Sequence, residues 1–70
     1  MTKLLIEDAN ETEVMSTLIT SNLMDYDFEL YPEGRNLVVE FYSSLDEEVY
    51  FVETLIDLGY YVRYYDKGRL

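Results

Sequence analysis

The sequence predicts an α+β fold: a single small domain, residues 1–70, in which a four-stranded antiparallel sheet carries two helices on one face. Three observations predict it. Two segments repeat apolar residues at helical spacing, each opened by a capping residue with Glu three positions on. Four short segments are instead built of alternating or β-branched and aromatic residues. The chain is also short enough to hold one core only, since a domain of this size buries just ~60% of its unfolded surface.

The first element is a strand from Lys3 to Glu7, with Leu4 and Ile6 on one side and Lys3, Leu5 and Glu7 on the other. Asn10 then stands three residues before Glu13 in capping-box spacing, and Glu11 adds negative charge where the helix dipole favours it. Val14, Met15, Leu18, Ile19 and Leu23 extend the first helix over Glu11 to Leu23. Asp25-Tyr26-Asp27-Phe28-Glu29-Leu30-Tyr31 alternates acid with apolar, the period of a strand. Pro32 to Asn36 supplies a turn, and Leu37 to Tyr42 completes an antiparallel hairpin.

Ser44 with Glu47 makes a second capping box, and Asp46 and Glu48 load the same turn with charge. Leu45, Val49, Val52, Leu55 and Ile56 form the apolar stripe of the second helix, which ends with Gly59 as its left-handed C′ residue. Tyr60 to Tyr65 is the last strand, and Asp66 to Leu70 a short tail. This strand and helix order resembles the ferredoxin-like βαββαβ pattern over nearly the whole chain. Right-handed crossovers would then place both helices on one face.

The alternation assigns Leu4, Ile6, Tyr26, Phe28, Leu30, Leu37, Val39, Phe41, Tyr60, Val62 and Tyr64 to the core. The uncovered face receives Lys3, Leu5, Glu7, Asp25, Asp27, Glu29, Tyr31, Val38, Glu40, Tyr42, Tyr61, Arg63 and Tyr65. Tyrosines beside Leu5 and Val38 suggest a contact surface, because the ring suits burial while its hydroxyl stays wet. Ordinary cross-strand packing on a solvated sheet is the bland alternative.

Function classes are narrowed chiefly by what is missing. With no cysteine and no histidine the chain has no thiolate metal site, no thiol nucleophile and none of the commonest general base. No catalytic residue, metal ligand or cofactor site is expected, and the carboxylate pairs Glu7-Asp8 and Asp46-Glu47-Glu48 read as surface charge. The acids at 25, 27 and 29 lack the loop of a calcium site, where Leu30 would hold the glycine position. Neither a signal peptide nor an apolar run of ~20 residues is present, so a cytoplasmic protein is expected.

Fifteen acidic residues against five basic ones leave a formal charge of −10, which repels phosphate backbones and anionic membranes. Direct binding of nucleic acid or membrane is therefore not expected, although Tyr42, Tyr61 and Tyr65 imitate an RNA-stacking platform. The acid suggests the reverse. On a strand Asp25, Asp27 and Glu29 would be ~6.8 Å apart, a spacing of the order of that between successive phosphates. Helix dipoles account for part of this charge without requiring the imbalance, and charge carried merely for solubility is the bland alternative.

In size, acidity and lack of catalytic residues the chain resembles small phage-type inhibitors that mimic DNA and block host defence or transcription proteins. That resemblance is compositional, and it implies a non-enzymatic inhibitor of a basic, nucleic-acid-binding protein in the host cytoplasm. The expected binding residues are Asp25, Asp27, Glu29, Glu40, Tyr31, Tyr42, Tyr61 and Tyr65. The competing expectation is a regulatory or assembly module forming a homodimer through its tyrosine-rich sheet face, with Leu5 and Val38 in the contact.

Overall fold

The computed structural model describes residues 1–65. In chain order it contains β1 (Thr2–Glu7), α1 (Glu11–Thr20), β2 (Phe28–Glu33), β3 (Asn36–Phe41), α2 (Leu45–Asp57) and β4 (Tyr61–Tyr64). The strands form one sheet in the order β2-β3-β1-β4, with every neighbouring pair antiparallel. This is the expected α+β, ferredoxin-like layout. The tail from Asp66 lies outside the described residues.

Both helices are stopped and started by local chemistry. Asn10 caps α1 by accepting from the Glu13 N–H, and Ser44 caps α2 within a reciprocal capping box with Glu47. Gly59, at φ +102°, closes α2 as expected: its N–H reaches Ile56 and that of Tyr60 reaches Leu55. The end of α1 comes earlier than its apolar period suggests. Asn22 takes φ +61°, donates to Ile19, and directs the Leu23 N–H back to the Leu18 carbonyl. This is the same left-handed closure built on Asn instead of Gly, and it turns Leu23 into the core as the motif's hydrophobic contact.

That closure also displaces the second strand. Residues 25–27 belong to the connection, where Tyr26 donates to Leu23, so β2 begins at Phe28 and not at Asp25. It continues through Pro32 to Glu33, leaving Gly34 and Arg35 as a two-residue hairpin turn with Gly34 at φ +64°. Pro32 is tolerated because β2 is an outer strand and has a free side for the missing N–H. Tyr26, Phe28 and Leu30 all pack against the core as the alternation predicts, Phe28 and Leu30 within β2 and Tyr26 from the connection before it.

Leu4, Ile6, Leu37, Val39 and Phe41 meet Val14, Leu18 and Leu23 from one side and Phe51 and Leu55 from α2. The Phe51 ring lies 4.9 Å from that of Phe41 and 5.4 Å from that of Phe28. The buried face of α2 is Glu48, Phe51 and Leu55, whereas Leu45, Val49 and Ile56 are exposed. Tyr64 is also largely exposed, because β4 is an outer strand and α2 meets it through the Glu48 carboxylate, which takes the Tyr64 hydroxyl bond. No helix among the described residues is long and apolar enough to cross a membrane.

Replacing Ser44 with Ala is expected to lower stability by ~1 kcal/mol in urea denaturation. Neighbouring Ser43 is not a substitute cap, since its hydroxyl already accepts from the Asp27 N–H.

Candidate protein-binding surface

The sheet face away from the helices is not bare. Leu5 and Val38 are paired across β1 and β3 and are buried, at 4% and 0% exposure. Val38 stands opposite Tyr31 and Leu5 opposite Arg63 in the same cross-strand row. Tyr65, whose N–H extends the β4 ladder to the Lys3 carbonyl, donates its hydroxyl to Glu33 on β2 at 2.6 Å. This bond joins the two outer sides of the sheet over Leu5 and Val38. Leu5 and Val38, expected in an exposed contact patch, are thus instead buried in a second, smaller core.

Beside it, Glu40 holds a polar cluster together. Its carboxylate accepts from the Tyr31 hydroxyl at 3.0 Å and the Tyr42 hydroxyl at 2.9 Å, and Lys3 Nζ lies 3.7 Å away. The same ammonium sits 5.8 Å from the centre of the Tyr65 ring. The hydroxyl bonds from Tyr42 and then Tyr31 hold the Glu40 carboxyl below its ordinary range, with Lys3 adding to the effect. Tyr42 is pushed up to about 12, first by that hydrogen bond, then by desolvation and by the charges of Glu40, Glu29 and Asp27. Tyr31 is raised by desolvation and by Glu40, and Tyr65 by its bond to Glu33.

Among the expected binding residues, Glu29, Glu40, Tyr31 and Tyr42 are therefore brought together, with Asp27 close enough to act on Tyr42. Asp25 and Asp27 do not continue the row of Glu29, because they precede β2. Asp25 is exposed in that connection. Tyr61 stands apart: it is paired with Glu7 on β4 and is 77% exposed. Tyr65 is partly buried within the cover over Leu5 and Val38.

The fold also brings the start of α2 to the approach to β2. Asp27 accepts from the Tyr42 N–H and donates its own N–H to Ser43, the residue before the α2 cap. The approach to β2, with Asp25 and Asp27, thereby meets the start of α2, whose first turn carries Asp46 and Glu47. Lys3 is the described cation beside this cluster, and Glu40 engages it. Arg35 and Arg63 pair with Asp8 and Glu7. The turn arginine thus finds a local acid partner, though the Arg35–Asp8 pair is exposed on both sides and contributes little.

Glu48, one of the acids expected at the surface, is instead 5% exposed. It accepts from Thr2 Oγ1 at 2.7 Å and from the Tyr64 hydroxyl at 3.0 Å, tying α2 to β1 and β4 without a cation. The only sequence signal was its helical register with Phe51 and Leu55. At the opposite end of the sheet an open cleft of about 530 Å³ is lined by Asp8, Glu11, Glu13 and Arg35. Asn10 and Asn36 in its wall already hold the Glu13 and Asp8 N–H groups. Among the described residues no three carboxylates converge as a metal site requires.

No protein family, no curated protein and no solved structure matches this chain.

Two outcomes follow from this face. Val38→Arg is expected to unfold the domain or cost several kcal/mol in a denaturation series, because it buries an unpaired charge; a folded, stable variant would show that the face is uncovered. In an ultraviolet titration of tyrosinate, Tyr42→Phe is expected to remove the last proton release. Raised phenol values mean that the folded state favours the neutral ring, so this stability is complete below pH ~10 and lost as pH climbs towards 12. Glu40 works oppositely: its contribution is present above its ordinary value of 4.5 and is lost as pH falls through the lowered folded value.

Proposed function

We propose that this domain is a non-enzymatic, acidic protein-binding module, an inhibitor that engages a basic, nucleic-acid-binding protein surface by presenting carboxylates where that protein expects phosphates. The observation that carries the reading is the meeting of two acidic segments distant in sequence. Asp25 and Asp27 come from the approach to β2 and Glu29 from the start of that strand, Asp46 and Glu47 come from the start of α2, and the bonds of Asp27 to Tyr42 and Ser43 bring these two segments together. Anions gathered on one side focus the field and steer a cationic partner into encounter.

Tyr42, 44% exposed beside this cluster, supplies a ring that a partner can desolvate, already oriented by Glu40. The charge surplus supports the same reading, since self-repulsion costs stability in a small domain with little to spare. Tyr31 and Tyr65 serve mainly to cover the sheet and are not free anchors.

The test is binding of the purified domain to a panel of basic DNA- and RNA-binding proteins, with duplex DNA as competitor. Affinity is expected to fall steeply between physiological and 1 M salt, where the screening length shrinks from ~8 Å to ~3 Å. The triple change Asp25→Asn, Asp27→Asn and Glu29→Gln removes three of the ten net negative charges and is expected to weaken binding about tenfold. Binding that ignores salt, the triple change and DNA competition would reduce this acidic end to a solvated surface.

A further inference from the structure

The two outer strands of the sheet are unlike. β2 carries Pro32 with Glu29 and Glu33, the residue types by which sheets keep an edge from pairing with another chain. β4 reads Tyr-Val-Arg-Tyr, without proline or acid, and its one charge, Arg63, is already paired with Glu7 of β1. The Tyr65 N–H bonds to Lys3, and hydrogen bonding alternates along an antiparallel ladder. Tyr61 and Arg63 therefore turn their main-chain groups towards β1, while Val62 and Tyr64 turn theirs to the outer side. Among the described residues no strand lies beyond β4.

Helix α2 adds an apolar flank on that same side. Glu48 reaches Thr2 and Tyr64, whereas the Phe51 ring meets Tyr26 and Phe28, so the turn from 51 to 48 runs from the β2 side to the β4 side. At about 100° per residue, positions 45, 49, 52 and 56 continue past Glu48 and flank the β4 edge. Leu45 is 69% exposed, Ile56 49% and Val49 43%. A surface helix ordinarily turns such a stripe inward. Here the core is already filled by Phe51 and Leu55.

We propose that a second copy of this chain covers this edge: β4 pairs antiparallel with β4 of the copy about a twofold axis at Val62. The two sheets then become continuous, and the exposed stripes of the two α2 helices face each other. The register follows from charge and facing. Keeping both helix layers on one side of the joint sheet requires opposed residues to share a face, which leaves axes at Val62 or at Arg63. An axis at Arg63 opposes two guanidinium groups. An axis at Val62 opposes valine to valine and sets each Arg63 against the partner's Tyr61, a cation over an aromatic face.

The contact is isologous and closes on itself. Pairing through β2 would instead bring rows of glutamate together. The acidic end lies on the β2 and β3 side and stays free, so this assembly neither needs nor excludes the partner proposed above. It also differs from an association through the tyrosine-covered face, whose apolar residues are buried. Two copies that each carry −10 repel, so added salt is expected to tighten the dimer, the opposite sign to the acidic end's partner.

Sedimentation equilibrium of the full chain over a wide concentration range, at low and high salt, tests this. Expected are a reversible dimer strengthened by salt, weakened about tenfold or more by Ile56→Glu and by Val49→Glu, and unaffected by Ile19→Glu on α1. Circular dichroism checks that each variant is folded. Hydrogen exchange on the unaltered chain supplies a second readout: the Val62 and Tyr64 amides are expected to gain protection as concentration rises. A monomer at every concentration, a dimer that survives both α2 changes, or amide exchange independent of concentration overturns the proposal.

Discussion

The central strands must be buried on both faces, and the chain has helices for only one. Leu4, Leu5 and Ile6 on β1 and Leu37, Val38 and Val39 on β3 are all buried in succession, so no alternation of wet and dry sides exists there. The helix layer covers one side in the usual way. On the other, tyrosines lie over Leu5 and Val38, a task suited to a side chain with a large apolar ring and a polar tip. The phenol tips then need acceptors, and carboxylates provide them: Glu40 for Tyr31 and Tyr42, Glu33 for Tyr65.

This constraint links two oddities of composition that look separate in the sequence, the excess of acid and the abundance of tyrosine. With few cations to share, several carboxylates are partnered by hydroxyl groups. Glu48 is the extreme case, an almost fully buried acid held by Thr2 and Tyr64. Such bonds to a charged acceptor are among the stronger neutral-to-ionic contacts available, which suits a domain whose net charge works against compactness. Acids that hold the sheet are thereby distinguished from Asp25, Asp27, Glu29 and Asp46, whose carboxylates carry none of these hydroxyl bonds, and from Glu47, whose carboxylate serves the α2 cap.

Much of the fold was legible because its signals are local. The caps at Asn10 and Ser44, the closure at Gly59 and the alternation around Tyr26, Phe28 and Leu30 each depend on a few neighbouring residues. Errors arose where one local signal was read in place of another. Asn22 is a less common left-handed helix stop than glycine, and missing it lengthened α1 and moved the start of β2 back to Asp25. The consecutive apolar residues Leu4-Leu5-Ile6 and Leu37-Val38-Val39 are the mark of strands covered on both sides, yet they pass easily for alternation when flanked by charge.

Element order, both helix starts, the hairpin and the net negative charge were readable from the residues alone, because propensity and capping act between near neighbours and net charge is a sum over the composition. The tertiary structure alone decided which apolar and acidic side chains are buried. Periodicity placed Leu45, Val49 and Ile56 on an apolar stripe, but the side of α2 that faces inward depended on Phe51 meeting Phe28 and Phe41. The gathering of Asp25, Asp27 and Glu29 with Asp46 and Glu47 likewise required the contact of Asp27 with Ser43, across 16 positions of chain. Long-range packing selects among faces that local pattern leaves equivalent.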